Sequence, residues 1–318
     1  MTPRHIVLLG GTGFVGRALC AELVSHLGAE GARLVVPTRR LAHGRAVQCL
    51  PGVELVQADV HDDAQLGRVL AGADAVVNLV AILQGSAAAF EHVHVALPRR
   101  LAAACRTARV ARLVHVSALG VAHDAPSRYL RSKAAGEQVL RDSGLPLTLL
   151  RPSVIFGAED RLLNLFAKLQ ALAPFVPLAG AASRFQPVWV RDVAQAVVRV
   201  LQRPETAGKV YECAGPDTIT LAELVQLAGR LAGHPRPVVP LPDALARIQA
   251  LLMEWLPGEP LMSRDNLDSM KVPNVASGTL PGLQALGIEP ASIHAVAPEY
   301  LGVGHGPSRF VGWRARHR

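Results

Sequence analysis

The chain has 318 residues, 50% of them apolar and 18% charged, which describes a folded globular protein and excludes a disordered or fibrous one. Its length fits one large domain or two packed domains, and two are expected. The net charge of +8 comes from 33 basic against 25 acidic residues, only four of the basic ones being lysines (Lys133, Lys168, Lys209, Lys271). These charges are scattered and aromatic residues make up only 4% of the chain, so a nucleic acid partner is not expected.

Cys20, Cys49, Cys105 and Cys213 form no CxxC pair, so neither a disulfide framework nor a metal site is indicated. The start, MTPRHIVLLGGTG, passes straight into glycines, unlike a signal peptide, and no apolar run reaches the roughly 18 residues of a membrane span. A cytoplasmic location is the expectation. The final stretch SRFVGWRARHR sets Arg309, Arg314, Arg316 and Arg318 around Phe310 and Trp313 and reads as a solvated tail, with peripheral contact to a membrane or a partner as the alternative.

In chain order, His5 to Leu9 is a short apolar run, Gly10 to Gly16 a glycine-rich turn, and Phe14 to Leu27 a helical pattern with Gly28 as its stop. Apolar runs follow at Arg33 to Pro37 and Val53 to Gln57, then a helix capped by Asp62 or Asp63 that closes near Gly72. Ala75 to Val80 is apolar enough to be buried on both faces, as in a parallel sheet covered by helices. Next come a helix over Pro98 to Thr107, a strand over Arg112 to Ser117, a helix over Ser127 to Ser143 and a strand over Leu147 to Leu150. This alternation predicts an α/β, Rossmann-type doubly wound parallel sheet.

Past Arg151 frequent prolines break the chain into shorter pieces, so a smaller, mainly helical domain is expected to begin there. The helix Arg191 to Leu201 and the apolar stretch Lys209 to Cys213 still read as elements of the first domain. Thr220 caps a further helix ending near Gly233, and Leu245 to Trp255 is another, spaced to lay an apolar face on the first domain. The expected division is residues 1–155, with 186–213 returning, as the nucleotide-binding domain, 156–185 and 214–300 as the smaller one, and 301–318 as the tail.

Gly10, Gly13 and Gly16 follow a strand and open a helix. Gly10 allows the tight turn, Gly13 lets a pyrophosphate approach the backbone, and Gly16 lets the helix pack on the strand. After the second strand, where an NAD site usually offers a carboxylate to the ribose 2′-hydroxyl, stand Arg39 and Arg40, a pair suited to a 2′-phosphate. NADP(H) is therefore the preferred cofactor, with NAD(H) the alternative. Asp59 reads equally as an adenine contact or a turn residue.

Tyr129 and Lys133, four apart in a predicted helix, share a face, and a lysine ammonium beside a phenol lowers its pKa and equips it to exchange a proton with a substrate oxygen. Ser117, at the end of the preceding strand, is placed to hold the same oxygen.

The phrases GGTGFVG, ADV at 58–60, NLVA at 78–81, HVHVALPRRL, VSALG, YLRSK, RPSVIFGAEDR and RFQPVWVRDVAQA resemble the extended and atypical short-chain dehydrogenase/reductases of the NAD-dependent epimerase/dehydratase type. Within these they resemble the subgroup related to subunit 9 of the alpha subcomplex of mitochondrial NADH:ubiquinone oxidoreductase. The resemblance implies Gly10, Thr12, Gly13, Phe14, Val15 and Gly16 at the phosphates, Arg39 at the 2′-phosphate, and Asp59 and Val60 at adenine. It also implies Leu79, Val80 and Ala81 beside the ribose, Lys133 on the nicotinamide ribose, and Pro152, Ser153, Val154 and Ile155 near the nicotinamide. Where active dehydrogenases commonly carry an Asn, HVHVAL places His94, either a substitute in the proton relay or an ordinary half-buried histidine.

Three functions follow from these expectations: an oxidoreductase acting on a carbonyl or hydroxyl substrate, a nucleotide-holding accessory or assembly protein of a respiratory membrane complex, and a nucleotide-sugar epimerase or dehydratase.

Overall fold

A computed structural model of the chain describes residues 3–27, 31–255 and 262–302. The early elements are β1 (His5–Leu9), α1 (Phe14–Leu27), β2 (Arg33–Thr38), α2 (Arg45–Gln48), β3 (Val53–Gln57), α3 (Asp63–Leu70) and β4 (Ala75–Asn78). A helix α4 (Ala87–Glu91) then runs through a π-helical turn (His92–Ala96) into α5 (Leu97–Thr107), followed by β5 (Arg112–Val116), α6 (Arg128–Arg141) and β6 (Leu147–Pro152). Beyond them lie β7 (Ile155–Phe156), α7 (Leu162–Leu172), β8 (Val176–Leu178), β9 (Arg184–Phe185) and β10 (Val188–Trp189). The remaining elements are α8 (Val190–Gln202), β11 (Val210–Cys213), β12 (Ile219–Thr220), α9 (Leu221–Leu231), β13 (Val238–Pro240), α10 (Asp243–Trp255), α11 (Arg264–Ser269) and α12 (Ile293–Leu301).

The chain divides into two compact units, the first made of 1–152, 190–213 and 276–289. Its centre is a seven-stranded sheet in the order β11-β6-β5-β4-β1-β2-β3, parallel throughout. Strand order reverses between β1 and β4, which opens a crevice at their C-terminal ends, where ligands bind in open α/β sheets. One face of the sheet buries Val7, Leu9, Val76 and Leu113 under Leu66 of α3, Leu101 of α5 and Leu140 of α6. On the other face α1 packs on α8, with Arg191 bonded to the buried Glu22 at 3.0 Å. The second unit has its own core, in which Phe156, Phe166, Leu178, Leu224 and Ile293 pack together.

Local signals set most boundaries. Asp62 caps α3 by accepting from the Gln65 N–H, Ser127 caps α6, and Thr220 with Glu223 forms a capping box on α9. The strand expected to reach Val80 stops at Asn78, because the Asn78 side chain turns back to accept from the Val80 N–H at 3.1 Å. The apolar face expected on α10 faces solvent: Leu245, Ile248, Leu252 and Trp255 are exposed, and the buried side is that of the small residues Ala246 and Ala250. Gly28 and all but the first two residues of the expected tail lie outside the described residues.

Candidate functional site

The glycine loop occupies the crevice between β1 and β4. Gly10 has φ +83°, a left-handed backbone that favours glycine, and its Cα side abuts the backbone of Leu79 and Val80. A Cβ on Gly16 would run into the Gly10 carbonyl and the backbone of Gly11, so this position must stay bare for α1 to start where it does. Gly13 is exposed, and a Cβ there would meet only the Gly10 oxygen at 3.3 Å, leaving the space before the loop open. Thr12, Phe14 and Val15 are half-buried around it, Thr12 offering its carbonyl to Arg17 at 2.9 Å. With no acidic side chain in the first turn of α1, this cradle fits a pyrophosphate.

Arg39 and Arg40 are exposed in the turn after β2, and neither makes an ion pair among the described residues. The Thr38 hydroxyl donates to the Arg40 carbonyl at 3.1 Å and holds this turn. Asp59 Oδ1 accepts from the His61 N–H at 3.0 Å, so one carboxylate oxygen serves the turn. Val60 is half-buried beside it. Leu79, Val80 and Ala81 leave β4 next to the glycine loop, with the Leu79 N–H donating to the Leu9 carbonyl at 2.9 Å.

Tyr129 and Lys133 lie one turn apart on α6. The half-buried Tyr129 ring meets His94 edge-on, with centroids 5.6 Å apart, and Phe90 at 6.3 Å. Burial pushes its phenol up to about 12. Desolvation, rather than the lysine's charge, dominates this shift. Lys133 is 2% exposed and donates from Nζ to the Val116 carbonyl at 2.8 Å. Burial lowers its pKa to about 8, opposed by the Glu137 carboxylate one turn further on.

His94 is 3% exposed and fully engaged. Its Nε2 accepts from the Ile82 N–H at 3.1 Å, so the ring proton sits on Nδ1 and donates to the Ser132 hydroxyl at 2.8 Å. That hydroxyl in turn donates to the Tyr129 carbonyl at 2.8 Å. Burial, then the charge of Lys133, push the ring's pKa down to about 3. A neutral ring with both nitrogens occupied cannot shuttle protons, so His94 clamps the segment after β4 to α6.

Ser117 directly follows β5. Its hydroxyl oxygen is fully enclosed and lies beside Glu137, whose charge it helps to hold. Burial works to raise the Glu137 pKa, but Arg151, bonded at 2.9 and 2.6 Å, together with Ser117 and Arg141 brings it below the ordinary carboxylate value. Sequence reasoning missed this buried pair, although Glu137 continues the four-residue spacing of Tyr129 and Lys133. Pro152 ends β6, whereas Ser153, Val154 and Ile155 belong to the second unit, where the Ser153 hydroxyl donates to Asn274 Oδ1 at 2.6 Å.

The model of the NAD-dependent epimerase/dehydratase family matches residues 6–214. The chain belongs to this family. It is an NAD(P)-binding member, 32% identical over 301 residues to subunit 9 of the alpha subcomplex of mouse mitochondrial NADH dehydrogenase, a match covering 92% of this chain and 78% of that protein. It is also 24% identical to an NAD(P)H azoreductase of Xenophilus azovorans, over 91% of this chain and 95% of that one. Among solved structures, the Escherichia coli NADPH-dependent quinone oxidoreductase QOR2 complexed with NADPH superposes with a TM-score of 0.73 and 21% identity, covering 92% of this chain and 98% of that one. Among the described residues no helix is long and apolar enough to cross a membrane.

Proposed function

We propose that this family member is an NADP(H)-dependent reductase of a carbonyl or quinone substrate, with Tyr129 as its proton donor. The reading rests on one observation: a half-buried phenol, steadied by Phe90 and His94, stands one helical turn from a buried lysine pinned to the end of β5. A phenol held near 12 is neutral at physiological pH and can give a proton, which favours reduction. Lys133, near 8, is mostly charged there and would bind the nicotinamide ribose and stabilise the phenolate left after transfer. A bound reduced nicotinamide would supply the hydride. The phosphates would rest on Gly10, Gly13, Gly16 and the α1 amides, the 2′-phosphate on Arg39 and Arg40, and the ribose beside Leu79 to Ala81. Ser117, enclosed beside Glu137, would position the pocket floor rather than touch substrate.

The test is NADPH oxidation against a panel of carbonyls and quinones, repeated with Tyr129→Phe. Turnover should fall roughly 10²–10⁴-fold in the variant with nucleotide affinity nearly unchanged. Turnover that survives the substitution rules out Tyr129 as the donor.

A second reading, a nucleotide held structurally in an accessory or assembly protein of a respiratory complex, is favoured by the mouse relative and by the enclosure of Ser117. Tightly held NADPH inert to the whole panel, with copurification of membrane subunits, would select it.

A further inference from the structure

The turn after β3 and the π-helical turn before α5 meet in a pair of stacked imidazoles. The rings of His61 and His92 lie 4.1 Å apart at centroid and 15° from parallel. His61 Nδ1 is enclosed and has no hydrogen-bond partner among the described residues. A buried ring nitrogen left unpaired is uncommon, because desolvation is not compensated. His92 is exposed, so one side of the stack is open to a ligand.

The surroundings of the pair are mostly cationic and come from separate elements. Arg39, after β2, and Arg100, on α5, both act on His61, and the opposing carboxylate is Asp59 on its own turn. Arg100 is also tied to Asp63 at 2.7 Å, and Asp59 Oδ1 is engaged by the His61 N–H. Burial first, then His92, Arg39 and Arg100, hold His61 below the usual histidine value. Burial and the neighbouring cations therefore disfavour a proton on His61. Rings this close cannot both carry charge cheaply, so the pair accommodates one proton.

We propose that the His61–His92 stack, together with Arg39, recognises the phosphomonoester on the adenosine ribose by taking up one proton as that dianion arrives. This rests on the reading of NADP(H) as cofactor, because Arg39 and Asp59, assigned above to the 2′-phosphate and adenine, flank His61. Arg39 supplies a permanent charge. The stack adds a second, stabilised by the arriving phosphate, and NADH, lacking the phosphate, recruits no proton. Specificity for the phosphorylated nucleotide would then be shared between an arginine and a histidine pair.

The experiment is calorimetric titration of the whole protein with NADPH and with NADH at about pH 7.5, where a phosphomonoester is already dianionic, in buffers of different ionisation enthalpy. NADPH binding should show a buffer-dependent enthalpy corresponding to uptake of up to about one proton, and NADH binding none. His61→Gln should abolish the buffer dependence and reduce the NADPH-over-NADH preference about tenfold or more with NADH affinity unchanged, and His92→Gln should do the same in part. NADPH binding with a buffer-independent enthalpy, or a dependence that survives in both variants, overturns the assignment and leaves the cofactor reading standing. Absence of binding by either nucleotide overturns both.

Discussion

His94→Gln should make the first unit less sensitive to acid. In the unfolded chain a histidine titrates near 6.5, whereas burial holds the native ring down near 3. Between these values the unfolded chain binds a proton that the native ring refuses. Stability is therefore lost as pH falls through this window and is fully present above it. Each pH unit inside the window is worth about 1.4 kcal/mol, so going from about pH 7 to pH 5 costs about 2 kcal/mol through this ring. His115, buried and accepting from the Asn78 amide, titrates well below its usual value and adds a loss of the same sign. A glutamine at position 94 keeps an acceptor for the Ile82 N–H but has nothing to titrate. Denaturant unfolding at both pH values, on the parent and the variant, measures the difference. The acid-induced loss should be smaller in the variant by about 2 kcal/mol. An equal loss in both proteins would refute the assignment of His94 as a buried neutral clamp.

Gly13→Val should fold, because the space before Gly13 is open, yet lose nucleotide binding in a fluorescence titration. Gly16→Ala should instead lower the melting temperature, since its Cβ meets backbone that cannot move aside. Arg39→Ala should weaken NADPH binding by about 1–3 kcal/mol and leave NADH unchanged, as read by titration. Glu137→Gln leaves the partly buried Arg151 and the buried Lys133 without their carboxylate and should destabilise the protein by about 3 kcal/mol in denaturant unfolding.

The parallel sheet was legible because each strand carries an uninterrupted apolar run and each helix a local start signal, such as Asp62, Ser127 or Thr220. The helix at His92 to Thr107 was not. Pro98 reads as a first-turn residue, so the sequence pointed to a start there, whereas the helix enters from Ala87 through a π-helical turn. A proline at 98 has no N–H for the His94 carbonyl and its ring crowds that oxygen. The wider turn accommodates both problems. The displaced His94 carbonyl packs where a Cβ of Gly136 would stand, which explains a glycine inside α6. This closeness of two helices depends on tertiary contact and leaves no periodicity in the sequence.

The candidate site divides in the same way. The glycine loop, Arg39 and the Tyr129–Lys133 pair are local patterns with a chemical meaning of their own. The His61–His92 stack, the His94 clamp and the Glu137–Arg151 pair join residues from different elements, so spacing along the chain does not expose them. Ser117 stands at the strand end that the sequence indicates, and its neighbour Glu137 comes from another element. The Ser117 side chain follows the alternation of β5 and points under α6 toward Glu137, alongside Arg151 of the neighbouring strand.

A single-turnover experiment is the most direct test of the account. Protein loaded with NADPH is mixed with each carbonyl or quinone in turn, and the fluorescence of the reduced nicotinamide is followed in the parent and in Tyr129→Phe. The account predicts that at least one acceptor discharges the fluorescence, roughly 10²–10⁴-fold more slowly in the variant, with the nucleotide still bound. Fluorescence that persists with every acceptor, or decays at the same rate in both proteins, would contradict it.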